Sequence, residues 1–168
     1  ILHIVGSLSK TNGTMSAIMN VYRKIDRATL QFDFLVSAKM DMHYANEISE
    51  LGGRIYSLPP PAPISAVRYI NEIKGFFDKH SEYNIIHCHL LPVAPFFLYV
   101  AEAQGIEFRI MHSHVTNYGN KVFSRVRNRI LRLPTIFLAN QYLACSQSAG
   151  VFLFGERAVA DGRVHIVR

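Results

Sequence analysis

About seven times along this chain an apolar run of strand length gives way to a stretch with helical spacing, and this alternation restricts the fold more than any other feature. The first run, Leu2 to Val5, is nearly all apolar, as in strands of a parallel sheet covered on both faces. Further strands are expected at 32–36, 54–58, 83–89, 108–112, 141–145 and 164–167. Helices are expected after the loop 6–13, with Thr14 or Ser16 as candidate caps, and at 44–51, 64–80, 93–104, 121–133 and 147–154. Gly52-Gly53, Gly105 and Gly155 follow helices where glycine commonly ends them, and Pro134 stops the fifth. The cluster Pro59-Pro60-Pro61-Ala62-Pro63 is too stiff for helix or sheet. Strand and helix in strict alternation predict an α/β class chain, a Rossmann-like, doubly wound parallel sheet of about seven strands with right-handed crossovers and helices on both faces.

A length of 168 residues predicts one domain, residues 1–168, with a real core. Hydrophobic residues at 49% and charged residues at 18% are ordinary for a soluble protein. Cys88 and Cys145 are too few for a disulfide framework and read as reduced, buried thiols of a cytosolic protein. The longest apolar run, 90–101, is broken by Pro92 and Pro95 and is too short to span a bilayer. The opening has no basic leader, and both ends lie on strands, so a trimmed piece of something larger is expected.

The charge is local. Of 18 basic residues, Arg109, Lys121, Arg125, Arg127, Arg129 and Arg132 fall within 108–155, where there is no Asp or Glu. The other twelve balance the 12 acidic residues, so the net +6 belongs to that one stretch. Within it, the helix 121–133 carries Val122, Val126, Ile130 and Leu133 on one face with basic residues beside them. Such a helix suits an anionic membrane surface or substrate phosphates. A merely solvated face is the alternative, weakened by the lack of acidic partners one turn away. Nucleic acid is not expected: no helix-turn-helix, RNP segment or zinc finger occurs. G-x-S-x-G is also absent, which leaves a serine hydrolase unsupported.

In a doubly wound sheet, ligands bind beyond the carboxyl ends of the strands. Three segments follow strands in this way. Gly6 to Gly13 can cradle a phosphate or sugar at a helix start, or be a plain turn with Asn12-Gly13 supplying positive φ. It matches neither the dinucleotide fingerprint nor a P-loop. His87 with His89, and His112 with His114, share strand faces pairwise and converge if the strands are neighbours. They read as site histidines that bind or relay protons, or as hydrogen-bonded edge residues. No resident metal is expected, because no carboxylate lies near in sequence to orient the imidazoles. Cys88, on the opposite face, reads as core.

Several ordered segments resemble the N-terminal half of bacterial GT-B glycosyltransferases of the retaining, family-4 type, as found in capsular and exopolysaccharide biosynthesis. They are Ile1-Leu2-His3-Ile4-Val5-Gly6, Asn12-Gly13-Thr14 before Met19-Asn20-Val21-Tyr22-Arg23, and Gln31-Phe32-Asp33-Phe34-Leu35-Val36. Glu50-Leu51-Gly52-Gly53-Arg54-Ile55-Tyr56, Ile86-His87-Cys88-His89, Arg109-Ile110-Met111-His112-Ser113-His114 and Leu143-Ala144-Cys145-Ser146 follow in the same order.

The resemblance implies an acceptor-side domain whose C-terminal nucleotide-sugar domain is absent from this chain, so that the piece is inactive alone. It implies a hexosyltransferase moving sugar from a nucleotide-sugar to a saccharide, lipid-linked on polyprenyl pyrophosphate, without cofactor or metal. By position His112 is the catalytic candidate, set beside the donor sugar, and Asn12, Gly13 and Thr14 form the donor-phosphate loop. His89, His114, Thr116, Asn117, Lys121 and Arg125 face the acceptor, while Arg125, Arg127, Arg129 and Arg132 meet an anionic membrane. The expected location is cytoplasmic, peripheral on the inner face of the membrane. The reading outside this class is a free-standing ligand- or metal-binding Rossmann-like module built on His87, His89, His112 and His114.

Overall fold

The structure, a computed structural model, describes residues 1–37, 42–58, 65–117 and 121–167. The proline cluster and the start of the third helix, as expected from sequence, lie outside the described residues. Among the described residues are seven parallel strands alternating with helices, which is the α/β, Rossmann-like class. The chain falls into two compact units, Ile1–Tyr83 and Asn84–Arg168.

In the first unit the order of elements is β1 (Leu2–Val5), α1 (Gly13–Tyr22), β2 (Asp33–Val36), α2 (Ala45–Glu50), β3 (Ile55–Ser57) and α3 (Ala66–Lys79). The strands pair in parallel as β3-β2-β1, with Leu2 opposite Asp33 and Phe34 opposite Ile55. Every residue of β1 and β2 is buried, including His3 and Asp33, as their mostly apolar runs suggested. Leu8, Met15, Met19, Tyr22, Phe34 and Ile48 form the centre of the core between sheet and helices. The glycine at 53 is a packing requirement: a Cβ there would lie 2.7 Å from both the Phe32 carbonyl oxygen and the Tyr22 hydroxyl. Asp33, the one buried acidic residue among the described residues, is fully engaged. It accepts from the Arg54 backbone N–H at 2.6 Å, pairs with the Arg54 guanidinium at 2.8 Å and accepts from the Tyr83 hydroxyl at 2.5 Å. Burial and that carboxylate both push the Tyr83 phenol upward.

The second unit contains β4 (Ile85–Cys88), α4 (Ala94–Ala103), β5 (Phe108–Ser113), α5 (Val122–Leu138), β6 (Gln141–Ala144), α6 (Gln147–Phe154), α7 (Glu156–Ala160) and β7 (Val164–Ile166). Its strands pair in parallel as β4-β5-β6-β7. Pro95 sits in the first turn of α4, where its missing N–H has no helical partner to lose. Phe97, Leu98, Val100 and Ala101 then bury the helix. Ser146 caps α6 by accepting from the Ala149 N–H. Gly155, at φ +92, makes the bend between α6 and α7 that a side chain would strain.

Three expectations are corrected here. First, α5 does not stop at Pro134 but runs through it to Leu138. A proline inside a helix leaves the carbonyl four residues earlier without its N–H; here that residue is Ile130, which is exposed, so water can supply the bond. Buried Thr135 then resumes the helix, its hydroxyl donating to Leu131 O at 2.7 Å. Second, Cys145 is exposed rather than buried, because β6 ends one residue before it; Cys88 is buried as expected. Third, Asn12, not Thr14 or Ser16, caps α1, accepting from the Thr14 N–H at 3.0 Å.

Candidate functional site

Parallel register decides which histidines meet. His87 lies opposite Ile110 and Cys88 opposite Met111, which sets His89, just past the end of β4, beside His112 near the end of β5. Period-2 alternation buries Cys88 on one face and keeps His87 and His89 on the other. Four imidazoles therefore collect at one carboxyl edge. His87 Nε2 lies 3.2 Å from His112 Nδ1, and His89 Nδ1 lies 2.8 Å from His114 Nε2. The rings also lie close along each strand, stacked at 4.2 Å between centroids for His87 and His89 and tilted at 4.0 Å for His112 and His114. The convergence expected from the two H-x-H pairs is thus present.

Three of these imidazoles, those of His87, His112 and His114, are held toward the neutral form. His87 and His112 are pushed down to about 3 and His114 to about 4, burial being the main cause for each. His114 adds a smaller repulsion on His87 and His112, and His87 on His112. His112 is 8% exposed, and its Nε2 has no hydrogen-bond partner among the described residues. A neutral ring whose Nδ1 is engaged by a neighbour has a defined tautomer and one nitrogen left for a ligand.

The same burial carries a stability consequence. Because the folded state holds these rings neutral and the unfolded chain protonates them near 6.5, the unfolded state binds protons first on acidification. Their contribution is fully present above about pH 6.5 and is lost as the pH falls toward 3, each ring adding a slope of up to about 1.4 kcal/mol per pH unit. Urea unfolding at pH 7, 5.5 and 4.5 should show falling stability, with a shallower dependence in His112→Asn; a flat profile in the wild type would show that the cluster is not neutral by burial.

The other sequence-predicted residues are placed as follows. Thr116 and Asn117 are exposed just beyond β5, and Lys121 is exposed at the start of α5. Arg125 and Arg129 are exposed along the helix; Arg127 donates to Asn128 Oδ1. Arg132 is tied down, donating to Leu153 O at 2.5 Å and joining α5 to α6. In the first unit, the loop after β1 is organised by Ser9, whose hydroxyl is 2.9 Å from that of Thr11. Gly13 is not among the positive-φ glycines, so the plain-turn reading with Asn12-Gly13 supplying positive φ does not hold. A Cβ at Gly13 would meet nothing within 4 Å, which leaves the space over the start of α1 open.

The spacing left open which way the apolar face of α5 points. Val122, Val126, Ile130, Leu133 and Phe137 recur on one face, and all are exposed, Phe137 by 82% and Val122 by 72%. Phe123 extends the patch. The helix instead turns Leu131, Thr135 and Leu138 inward. A periodicity of 3.6 identifies an apolar face without saying what it meets. The usable signal was the absence of acidic partners beside it.

A chain with this fold has known counterparts. Its computed structure superposes on Anabaena Alr3699/HepE in complex with UDP at a TM-score of 0.65, covering 99% of this chain and 43% of that one, at 12% identity. It matches the lipopolysaccharide outer core galactosyltransferase WaaB, apo form, at a TM-score of 0.69 over 98% of this chain and 44% of that one, at 14% identity. The fold is similar to that of the N-terminal-like half of GT-B glycosyltransferases such as these. In sequence the chain is homologous to "Putative glycosyltransferase EpsF" of Bacillus subtilis (strain 168), 28% identical over 99% of this chain and 44% of the relative. The chain therefore spans less than half the length of these relatives, matching their N-terminal-like half. No protein-family model matches it.

Proposed function

We propose that this chain is the acceptor-binding half of a retaining glycosyltransferase that moves a sugar from a nucleotide-sugar to a lipid-linked saccharide in surface polysaccharide synthesis. The observation that carries the reading is the neutral histidine cluster at the carboxyl edge of β4 and β5, in a chain homologous to a glycosyltransferase-named relative. Supporting it, one structural counterpart is described with UDP and another as a lipopolysaccharide galactosyltransferase.

In this reading His112 offers its Nε2 to a hydroxyl of the transferring sugar. A neutral imidazole can donate or accept there without the desolvation cost of a buried charge. Retention needs no enzymic nucleophile if the leaving phosphate itself assists attack from the face it departs. The demand on the protein is then to stabilise the pyrophosphate charge, which a helix start with open space above it, at Asn12, Gly13 and Thr14, can help to do. His89, His114, Thr116, Asn117, Lys121 and Arg125 would line the acceptor's side. Among the described residues no helix is long and apolar enough to cross a membrane. Attachment to the inner face of the membrane would instead use α5, with exposed apolar side chains flanked by Arg125, Arg127 and Arg129. An acceptor on polyprenyl pyrophosphate would be held in the same plane.

The test is turnover by the full-length protein that carries this chain. It should transfer sugar from a nucleotide-sugar to a polyprenyl-linked acceptor with the anomeric configuration kept, and the 168-residue chain alone should not. Inverted product would overturn the retaining mechanism, and turnover by the isolated chain would overturn its role as a half-site.

A further inference from the structure

We propose that Tyr44, where α2 begins, is a positioning residue: it holds the loop 6–13 and the start of α1 in the shape that receives a pyrophosphate. The proposal rests on the reading that Asn12, Gly13 and Thr14 face the donor's phosphates, and it names what sets their geometry. Backbone N–H groups stabilise a developing phosphate charge only when they already point at it. A loop that must first reorient gives up part of that gain. Gly13 cannot brace the bend by packing, since even a Cβ there would meet nothing within 4 Å. The bend therefore depends on how the chain is held before and after it.

Within the loop, Ser9 Oγ accepts from the Thr11 N–H at 3.3 Å, and the Asn12 N–H donates to Ser9 O at 3.2 Å. Further support comes from the connection after β2. Before the bend, the Tyr44 backbone N–H donates to Leu8 O at 3.1 Å. Beyond it, the Tyr44 hydroxyl lies 3.3 Å from Ser16 Oγ within α1. Ser16 Oγ in turn donates to Lys10 O at 3.4 Å, back in the loop. A serine has one hydroxyl proton, so with that proton on Lys10 O the Tyr44 O–H is the donor to Ser16. One residue thus grips the chain on both sides of residues 12–14. Its neighbour His43 adds a weaker contact, Nδ1 lying 3.5 Å from Ser9 Oγ.

The ring of Tyr44 acts as well as its hydroxyl. It is 6% exposed and belongs to the same core cluster as Leu8 and Met15, so it cannot drift. Lys10 Nζ and the Arg23 guanidinium each stand 5.8 Å from its centroid. Arg23 is kept there by Glu47, which accepts from both its Nε and its Nη2. Lys10 carries its charge on a flexible stem, and the ring contact limits where that charge sits beside the loop. Hydroxyl and ring therefore set two different things, the path of the backbone and the place of a cation.

The experiment uses the full-length protein and inorganic pyrophosphate as the probe, with two readouts. In Tyr44→Leu, amide hydrogen exchange over 8–16 should quicken by about tenfold. Pyrophosphate, followed by the amide resonances of Gly13 and Thr14, should need about tenfold more to saturate. Tyr44→Phe keeps the ring and should stay within about threefold of wild type in both. Ser16→Ala should match it, and the two together should cost no more than either alone, because they break one relay. Ile48→Val, buried in the same helix, should leave both readouts unchanged. Should Tyr44→Leu fail to fold, Tyr44→Phe and Ser16→Ala carry the same test. Unchanged exchange over 8–16 in these variants, or equal effects from Ile48→Val, would overturn the proposal. Quickened exchange with Gly13 and Thr14 unshifted by pyrophosphate in the wild type would instead overturn the donor-phosphate reading, while the hold by Tyr44 stands.

Discussion

His112→Ala in the full-length protein is expected to lower sugar transfer by about 100-fold or more, the usual size of a lost hydrogen-bonding or proton-handling imidazole. The reason lies in how the ring is set. His87 engages Nδ1 at 3.2 Å and burial keeps the ring uncharged, leaving Nε2 as the group presented to a ligand. Removing it also strips His87 of one of its interactions, at a cost in stability of about 1–3 kcal/mol. The loss should appear in kcat more than in nucleotide-sugar KM, because the donor's nucleotide is expected on the other half of the protein. His112→Gln, which keeps a hydrogen-bonding group, should recover part of the rate, and His165→Ala should have no effect. A His112→Ala protein that folds and transfers sugar within about threefold of wild type would remove this residue from the chemistry.

Much of this architecture was legible in the residues. The apolar runs from Leu2 to Val5 and 32–36 could be little else than strands covered on both faces, and β1 and β2 are buried throughout. The H-x-H spacing put two histidine pairs on strand faces, and parallel pairing of β4 with β5 did the rest. The failures share one cause, since sequence periodicity reports local preference and not the neighbour. Pro134 ends most helices, but not one whose next turn is held by buried Thr135 and whose lost bond falls at an exposed residue. Cys145 continues an apolar run yet lies just beyond the last paired residue of β6. Thr14 and Ser16 were the caps the sequence suggested, and the bond from the Thr14 N–H to the Asn12 side chain gives that place to Asn12 instead. On α5 the spacing showed an apolar face with basic residues beside it, and only the structure shows that this face is exposed.

That orientation makes the second large effect predictable. The full-length protein should sediment with vesicles containing anionic lipid and only weakly with zwitterionic ones. Val126→Asp with Ile130→Asp should abolish the association, because each apolar side chain gains about 1.5–3 kcal/mol on leaving water and each new carboxylate is repelled by the lipid. Arg125→Glu with Arg129→Glu acts through the other component: at about 1 kcal/mol per basic residue near the surface, removal and reversal together should weaken binding by well over tenfold. Added salt should weaken the wild type in the same direction, whereas the aspartate pair should stay unbound at any ionic strength. Val126 and Ile130 are 55% and 65% exposed, so neither pair should lower the unfolding midpoint. If the remainder of the full-length protein covers this face instead, the outcome reverses: the aspartate pair destabilises the fold and the wild type ignores vesicles. The distinction matters for the acceptor, because α5 starts nine residues beyond Ser113 in the same unit as the histidine edge. A helix lying in the headgroup layer would bring that edge to the membrane surface, where a lipid-borne pyrophosphate would present its sugar.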